Sequence, residues 1–238
     1  MILYGRNPVR EALRGRRAHA LTDIWASAGA VREPWLAGVR VRVCPSEELE
    51  RRCQSTAHQG ICAEAGSYPY VSAPELLAVH EPLIVVLDQV QDPQNLGSIC
   101  RIAECAGATG LVIPERRAAE VTPAACKASA GAVEHIRIAR VRNVADFLAD
   151  ARNAGCWSYG ASVGDSSVPY TAPDYRGGVV LVLGSEGSGL RPRVASSCDQ
   201  LVALPMHGRI ESLGVAAAAS ALLYGILQDR EKALDKAP

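Results

Sequence analysis

Aromatic side chains are scarce in this 238-residue chain, at 5%, and charged ones reach only 21%. With 21 glycines and 14 prolines that balance excludes a coiled coil and a disordered tail protein, while 48% apolar residues allow one large or two modest cores. An excess of one charge sign is also missing, because 25 basic side chains face 25 acidic ones. This argues against binding nucleic acid through bulk field alone. No hydrophobic run is long. The longest, 215–227, contains Ser220 and is too short for a bilayer core of roughly 30 Å, so no membrane span is expected. The opening residues lack an apolar run behind their charges and a small-residue cleavage site, so a secretory signal is not expected and the cytoplasm is the expected location. The cysteines, at 44, 53, 62, 100, 105, 126, 156 and 198, include no CxxC pair and no histidine pair at zinc-finger spacing. No metal site is expected, and reduced thiols filling the core are.

Charge is present but unevenly placed. Residues 1–60 hold ten arginines against six carboxylates, and Arg6, Arg10, Arg14, Arg16 and Arg17 are its densest cluster. Charge alone leaves two readings open, a solvated helix face or a surface that contacts RNA phosphates. This first part alternates short pieces: a helix over 8–14, strands over 23–26 and 39–43, and a helix from Ser46 with Glu47 and Glu48 in its first turn. A turn-rich stretch with Gly66, Pro69, Pro74 and Pro82 follows, so we divide the chain into a domain over 1–66, a linker over 67–82 and a domain over 83–238. In the second domain, buried-strand signals at 83–87, 110–113, 135–138, 156–161, 179–183 and 200–204 alternate with helical stretches at 93–107, 122–129, 144–154 and 211–229. The pattern predicts an α/β fold with a parallel sheet covered on both faces, and ligands beyond the carboxyl ends of the strands.

Three segments follow such strand ends. After 83–87, Pro93 suits a helix start, Asn95 offers amide donors and an acceptor, Gly97 permits close backbone approach, and Arg101 lies further along the same helix. A capped helix with a solvated arginine is the plainer alternative. After 179–183, three glycines within Gly184-Ser185-Glu186-Gly187-Ser188-Gly189 strip side chains from a strand end, which a tight turn would also explain. Their order is GxxGxG, late in the chain, so the fingerprint of a nucleotide-binding oxidoreductase is absent. After 200–204 come Pro205, Met206, His207 and Gly208, then a helix rich in small residues, suited to core or dimer packing.

Together these segments resemble the SpoU, or TrmH, family of RNA ribose 2′-O-methyltransferases in the SPOUT superfamily. The resemblance rests on Asp92-Pro93-x-Asn95-Leu96-Gly97-x-Ile99-x-Arg101, on Leu183-Gly184-Ser185-Glu186-Gly187-x-Gly189-Leu190, and on Leu204-Pro205-Met206-x-Gly208-x-x-Glu211-Ser212-Leu213. The opening Tyr4-Gly5-Arg6-Asn7-Pro8-Val9-x-Glu11-Ala12-Leu13 and the segment His58-Gln59-Gly60-Ile61 are similar to the RlmB-like branch, which methylates a guanosine ribose in 23S ribosomal RNA. The resemblance implies a C-terminal SPOUT domain with a deep trefoil knot, exceptional among folds. It also implies a small N-terminal α/β domain, like ribosomal RNA-binding proteins, and a homodimer formed through the knot domain.

It further implies that S-adenosylmethionine is held by Leu183, Gly184, Glu186, Gly187, Leu204, Met206, Ser212 and Leu213, and that Arg101, Asn95, Glu186 and Ser212 serve catalysis. Arg101 is the position that would prepare the ribose hydroxyl. A guanidinium resists deprotonation, so stabilising a developing alkoxide or holding the adjacent phosphate suits it better than abstracting a proton. Asn95 would orient Arg101 or the ribose, and Glu186 would organise its loop. The N-terminal arginines would meet ribosomal RNA. One departure stands out, since the family reads Ser-Leu-Asn where this chain has Ser212-Leu213-Gly214. The alternatives are a tRNA or other rRNA methyltransferase of the same family, or a non-catalytic RNA-binding relative.

Overall fold

A computed structural model describes residues 1–164, 166–210 and 212–234. Glu211 of the third segment therefore lies outside the described residues. The first unit consists of β1 (Ile2–Tyr4), α1 (Arg6–Arg14), β2 (Leu21–Ala26), β3 (Arg42–Val43), α2 (Ser46–Cys53) and β4 (Ile61–Ala65). Its sheet runs β1-β4-β2-β3, antiparallel except for the parallel β2–β3 pair. Helix α1 buries Pro8, Val9 and Ala12 and starts before the expected Pro8, because the Gln59 side chain accepts the Arg6 amide at 3.0 Å. Pro8 is harmless there, since the first amides of a helix have no intrahelical partner. The strand expected over 39–43 is shorter because the Val39 amide is spent in a turn, donating to the Leu36 carbonyl.

Residues 67–82 are more structured than a turn-rich connector. They contain α3 (Ala73–Leu77), opened by a capping box in which the Ser72 amide and hydroxyl both donate to the Glu75 carboxylate. Pro74 sits within its first turn, where a missing N–H costs nothing. Val71 forms a β-bridge with Ala139, and the buried Tyr68 hydroxyl donates to the Val133 and Ile136 carbonyls.

The second unit continues with β5 (Leu83–Asp88), α4 (Pro93–Cys105), β6 (Gly110–Pro114), α5 (Pro123–Ala128), β7 (Arg137–Val141), α6 (Val144–Asn153), β8 (Cys156–Ala161), β9 (Val168–Pro169), β10 (Gly178–Gly184), α7 (Pro192–Ser197), β11 (Gln200–Ala203) and α8 (Val215–Leu234). Its sheet is parallel throughout, in the order β7-β6-β5-β10-β8-β11-β9. The period of two along β5 and β10 sorts the apolar residues between the two faces. Leu83, Val85, Leu87, Val179, Leu181 and Leu183 join α4 and α8 in one core, which continues into the first unit. Ile84, Val86, Val180 and Val182 join α6 and α7 in the other. The alternating pattern thus forms the expected α/β sheet with helices on both faces.

Three boundaries differ from expectation. Strand β7 begins at Arg137 because 132–134 form a short 3-10 turn. The two-residue β9, which ends on Pro169, has too little pattern to be legible. Helix α8 begins at Val215, later than the expected 211–229 stretch, because Gly214 takes a left-handed φ of 77°. No helix among the described residues is long and apolar enough to cross a membrane.

Candidate functional site

Strand β5 is buried along its whole length and ends on Asp88, a carboxylate with no exposed surface. Such a group needs a partner, and Arg191 provides one. Its Nε donates to Oδ1 at 2.7 Å and its backbone amide to Oδ2 at 2.9 Å. This clamp ties the far end of the loop after β10 to the end of β5. Sequence reasoning missed the clamp, although a carboxylate closing an unbroken apolar run was the available signal.

Within that loop, Ser185 and Gly189 exchange backbone hydrogen bonds at 3.1 and 2.9 Å. The fold brings Gly184 so close to Gly189 that a Cβ there would stand 2.1 Å from its carbonyl carbon, so no side chain is possible. Gly187 and Gly189, at φ 84° and 66°, instead face open space. Leu183 is buried in the core, so only its backbone can meet a ligand. Glu186 reaches out of the loop to α8, where its carboxylate accepts the Val215 amide at 3.3 Å. Ser212 Oγ accepts the Gly214 amide at 3.1 Å beside it. A Cβ at Gly214 would lie 3.4 Å from Glu186 Oε1, so it is the left-handed φ of 77°, and not lack of space, that favours glycine here.

The structure thus brings Glu186, Ser212 and Gly214 together at the start of α8. Leu204 packs partly on the core, Met206 is half-buried, and Leu213 is exposed with Ile210. Among the described residues, 206–210 make no backbone–backbone hydrogen bond. Free amides and carbonyls, open glycines and exposed apolar side chains on one sheet edge suit a small ligand with both polar and apolar parts.

Helix α4 starts beside that edge. Asp92 caps it by accepting the Gln94 amide at 2.9 Å, and Pro93 takes the first helical position. Asn95 is half-buried and Arg101 exposed. Six residues advance a helix by about 9 Å and turn it through roughly 240°, so the two do not share a face. Neither side chain makes a hydrogen bond or ion pair among the described residues, so none joins either to Glu186 or Ser212. Helix α4 does pack against α8. The close approach expected at Gly97 is made by α5, since a Cβ there would stand 2.6 Å from the Ala125 carbonyl oxygen.

The N-terminal arginines require a correction. Arg17 is buried, not a surface group available to RNA. Its Nε donates to Glu134 Oε2 at 2.9 Å, its Nη2 pairs with Oε1, and the Tyr68 ring lies 5.5 Å from its guanidinium carbon. Burial works to lower the Arg17 pKa, but the bonds to Glu134 prevail and raise it. The pair joins the first unit to the second. Glu134, inside the apolar context Gly131-Ala132-Val133, was its only sequence signal. Arg6 pairs with Glu33 at 2.9 Å, and Arg10 with Glu11 at 2.7 Å, while Arg14 approaches Glu11 at 3.9 Å. Arg16 is half-buried, and its backbone amide donates to the Glu134 carbonyl. All eight cysteines are free thiols; Cys62, Cys100, Cys126 and Cys156 are buried and Cys105 is exposed.

Two family profiles match the chain: the SpoU rRNA Methylase family over residues 82–224, and RNA 2′-O ribose methyltransferase substrate binding over residues 2–71. YacO of Bacillus subtilis, whose name places it in the TrmH family of tRNA/rRNA methyltransferases, is 35% identical over 241 residues, covering 96% of this chain and 95% of its own. The 23S rRNA (guanosine-2′-O-)-methyltransferase RlmB of Xanthomonas campestris is 38% identical over 198 residues, covering 81% of this chain and 79% of its own. Among solved structures, the SpoU methyltransferase AviRb from Streptomyces viridochromogenes, in complex with AdoMet, superimposes with a TM-score of 0.81 at 25% identity, covering 98% of this chain and 91% of that one.

Proposed function

The chain belongs to the SpoU rRNA methylase family, as an RNA 2′-O-methyltransferase, and we propose that its methyl donor is S-adenosylmethionine and its substrate a guanosine ribose of 23S ribosomal RNA. The observation that carries this reading is the 38% identity to a 23S rRNA guanosine methyltransferase across four fifths of the chain. The open glycines and the free backbone groups of 206–210 support the donor, because they fit a cofactor held mainly by main-chain contacts. Gly187, Leu204, Met206 and Leu213 would line its site, with the backbones of Leu183 and Gly184.

When bound, S-adenosylmethionine supplies a methyl group already activated by the positive charge on its sulfur. The chain's residues then have two tasks, to align the ribose oxygen and to favour its anionic character. Arg101, exposed and without a carboxylate partner among the described residues, is suited to hold the oxygen or the adjacent phosphate while remaining protonated. Asn95 would orient the ribose, since nothing links its amide to Arg101. Glu186, through the α8 amide, and Ser212, through the Gly214 amide, would keep the donor loop in shape.

In this reading residues 1–66 capture RNA, with Arg6, Arg10, Arg14 and Arg16 adding a general attraction, and residues 83–238 transfer the methyl group in the cytoplasm. A knotted second domain and a homodimer formed through it belong to the same reading, with the exposed Tyr224 on α8 as an apolar group available for that contact. The test is transfer of labelled methyl to 23S rRNA by the full chain, followed by mapping of the modified ribose. Methylation of a guanosine ribose supports the reading; calorimetric binding of the donor with no transfer to any ribosomal RNA overturns it.

A further inference from the structure

Ion pairing within the chain removes much of the charge on α1, and uncompensated arginines stand elsewhere. Strand β6 ends at Pro114, and the next residues form a turn over 115–121 that is tied down on three sides. The Glu115 amide donates to the Val141 carbonyl at 2.9 Å, which holds the turn to β7. The Ala119 amide donates to the Val90 carbonyl at 2.8 Å, which holds it to the segment that opens α4. The Val121 amide donates to the Tyr70 hydroxyl at 2.9 Å, which holds it to the end of the segment matching the substrate-binding profile. The turn therefore lies between the end of the segment that matches the substrate-binding profile and the segment that opens the helix bearing Arg101.

Four guanidinium groups gather here, those of Arg116, Arg117, Arg140 and Arg142, against the carboxylates of Glu115 and Glu120. Arg140 pairs with Glu120 at 3.0 Å, donates to the Glu115 carbonyl at 3.2 Å and lies over the Tyr70 ring at 5.4 Å. The nearby Asp92 is occupied as the cap of α4. Arg116, Arg117 and Arg142 are exposed and form no ion pair among the described residues. Arg117 itself takes a left-handed φ of 57°, in a turn already held by those three bonds. Three always-charged groups without an ion pair among the described residues, two on a fixed turn and one just past β7, suit bidentate contact with the phosphates of a single strand.

We propose that Arg116, Arg117 and Arg142 form a phosphate-binding rim that holds the RNA backbone flanking the target ribose. This rests on the reading that the chain methylates ribosomal RNA. The test compares the full-length wild type with the R116E/R117E double variant, by fluorescence anisotropy on a labelled 23S-derived fragment across a salt series. The R176E/K232E pair controls for net charge, because Arg176 precedes β10 and the end of α8 is held to that same segment, where Arg230 donates to the Tyr175 and Gly177 carbonyls.

The rim variant is expected to bind RNA at least about tenfold more weakly. The slope of log affinity against log salt should be shallower by about 1.4, from roughly 0.7 per lost phosphate contact. Donor affinity by calorimetry should stay unchanged, and the control should keep the wild-type slope. The milder R116Q/R117Q variant answers the same question if the charge reversal disturbs folding. Wild-type affinity and slope in the rim variants overturn the rim while leaving the methyltransferase reading intact. A wild type that neither binds nor methylates the fragment overturns that reading and the rim with it.

Discussion

Arginine has opposite fates at two places in this molecule. Along α1 and just after it, Arg6, Arg10 and Arg17 are each met by a carboxylate of the same chain, and Arg14 stands near one. At the turn after β6 and just past β7, Arg116, Arg117 and Arg142 form no ion pair among the described residues, and Glu120, one of the two local acids, is taken up by Arg140. Basic density in a sequence therefore does not measure basic potential on a surface. What counts is how many charges survive pairing within the fold, and surface pairs are soft while a buried one is not.

The comparison breaks most sharply at Arg17. Replacing it with methionine leaves Glu134 buried and alone, and chemical denaturation should show a loss of about 3–5 kcal/mol, with RNA affinity per folded molecule unchanged. A stable Arg17→Met protein that binds RNA weakly would restore this residue to the RNA surface. Next in size is Arg101→Ala. It should slow methyl transfer by about 10²–10³-fold at saturating donor, as expected for a lost electrostatic stabiliser, without moving the melting temperature. Full transfer by that variant would remove Arg101 from the chemistry. The rim variants described above come third.

The smallest effects belong to α1. Burial works to raise the Glu11 pKa, but hydrogen bonds with His135 and Arg10 prevail and hold it below its ordinary 4.5. Its pairing thus contributes stability that is present above that ordinary value and lost as pH falls through the lowered one. A pH series of unfolding midpoints should show this acid loss in the wild type and a smaller one in Glu11→Gln. The same variant frees Arg10 and Arg14 at neutral pH and should tighten RNA binding by no more than about fivefold, the range of an exposed pair. A larger gain would show that Glu11 was masking the principal RNA contact and would shift weight from the rim back to α1.

Much of the parallel sheet was legible because alternation and apolar runs are local. The stretch 83–87 reads as a buried strand from its own residues, and Thr122 with Pro123 announces α5 without help. Glu186 and Ser212 were legible as members of motifs, and Arg101 as an isolated charge on a helix. Asp88 was not, because its meaning depends on Arg191, over a hundred residues later. The start of α8 was misread because the left-handed turn at Gly214 interrupts a composition that would otherwise continue as helix. The helix within 67–82 was not legible because prolines that mark turns are equally at home in a first helical turn.

By itself the chain determined its longer helices and strands, the parallel character of its larger sheet and the family to which it belongs, since each is written in spacing over a few residues. Tertiary structure alone decided which charges are spent and which are free. Arg17 and Glu134 are separated by 117 positions, and no period or propensity connects them until folding removes water from between the two units. Coulomb interactions follow distance in space, whereas sequence patterns record only distance along the chain.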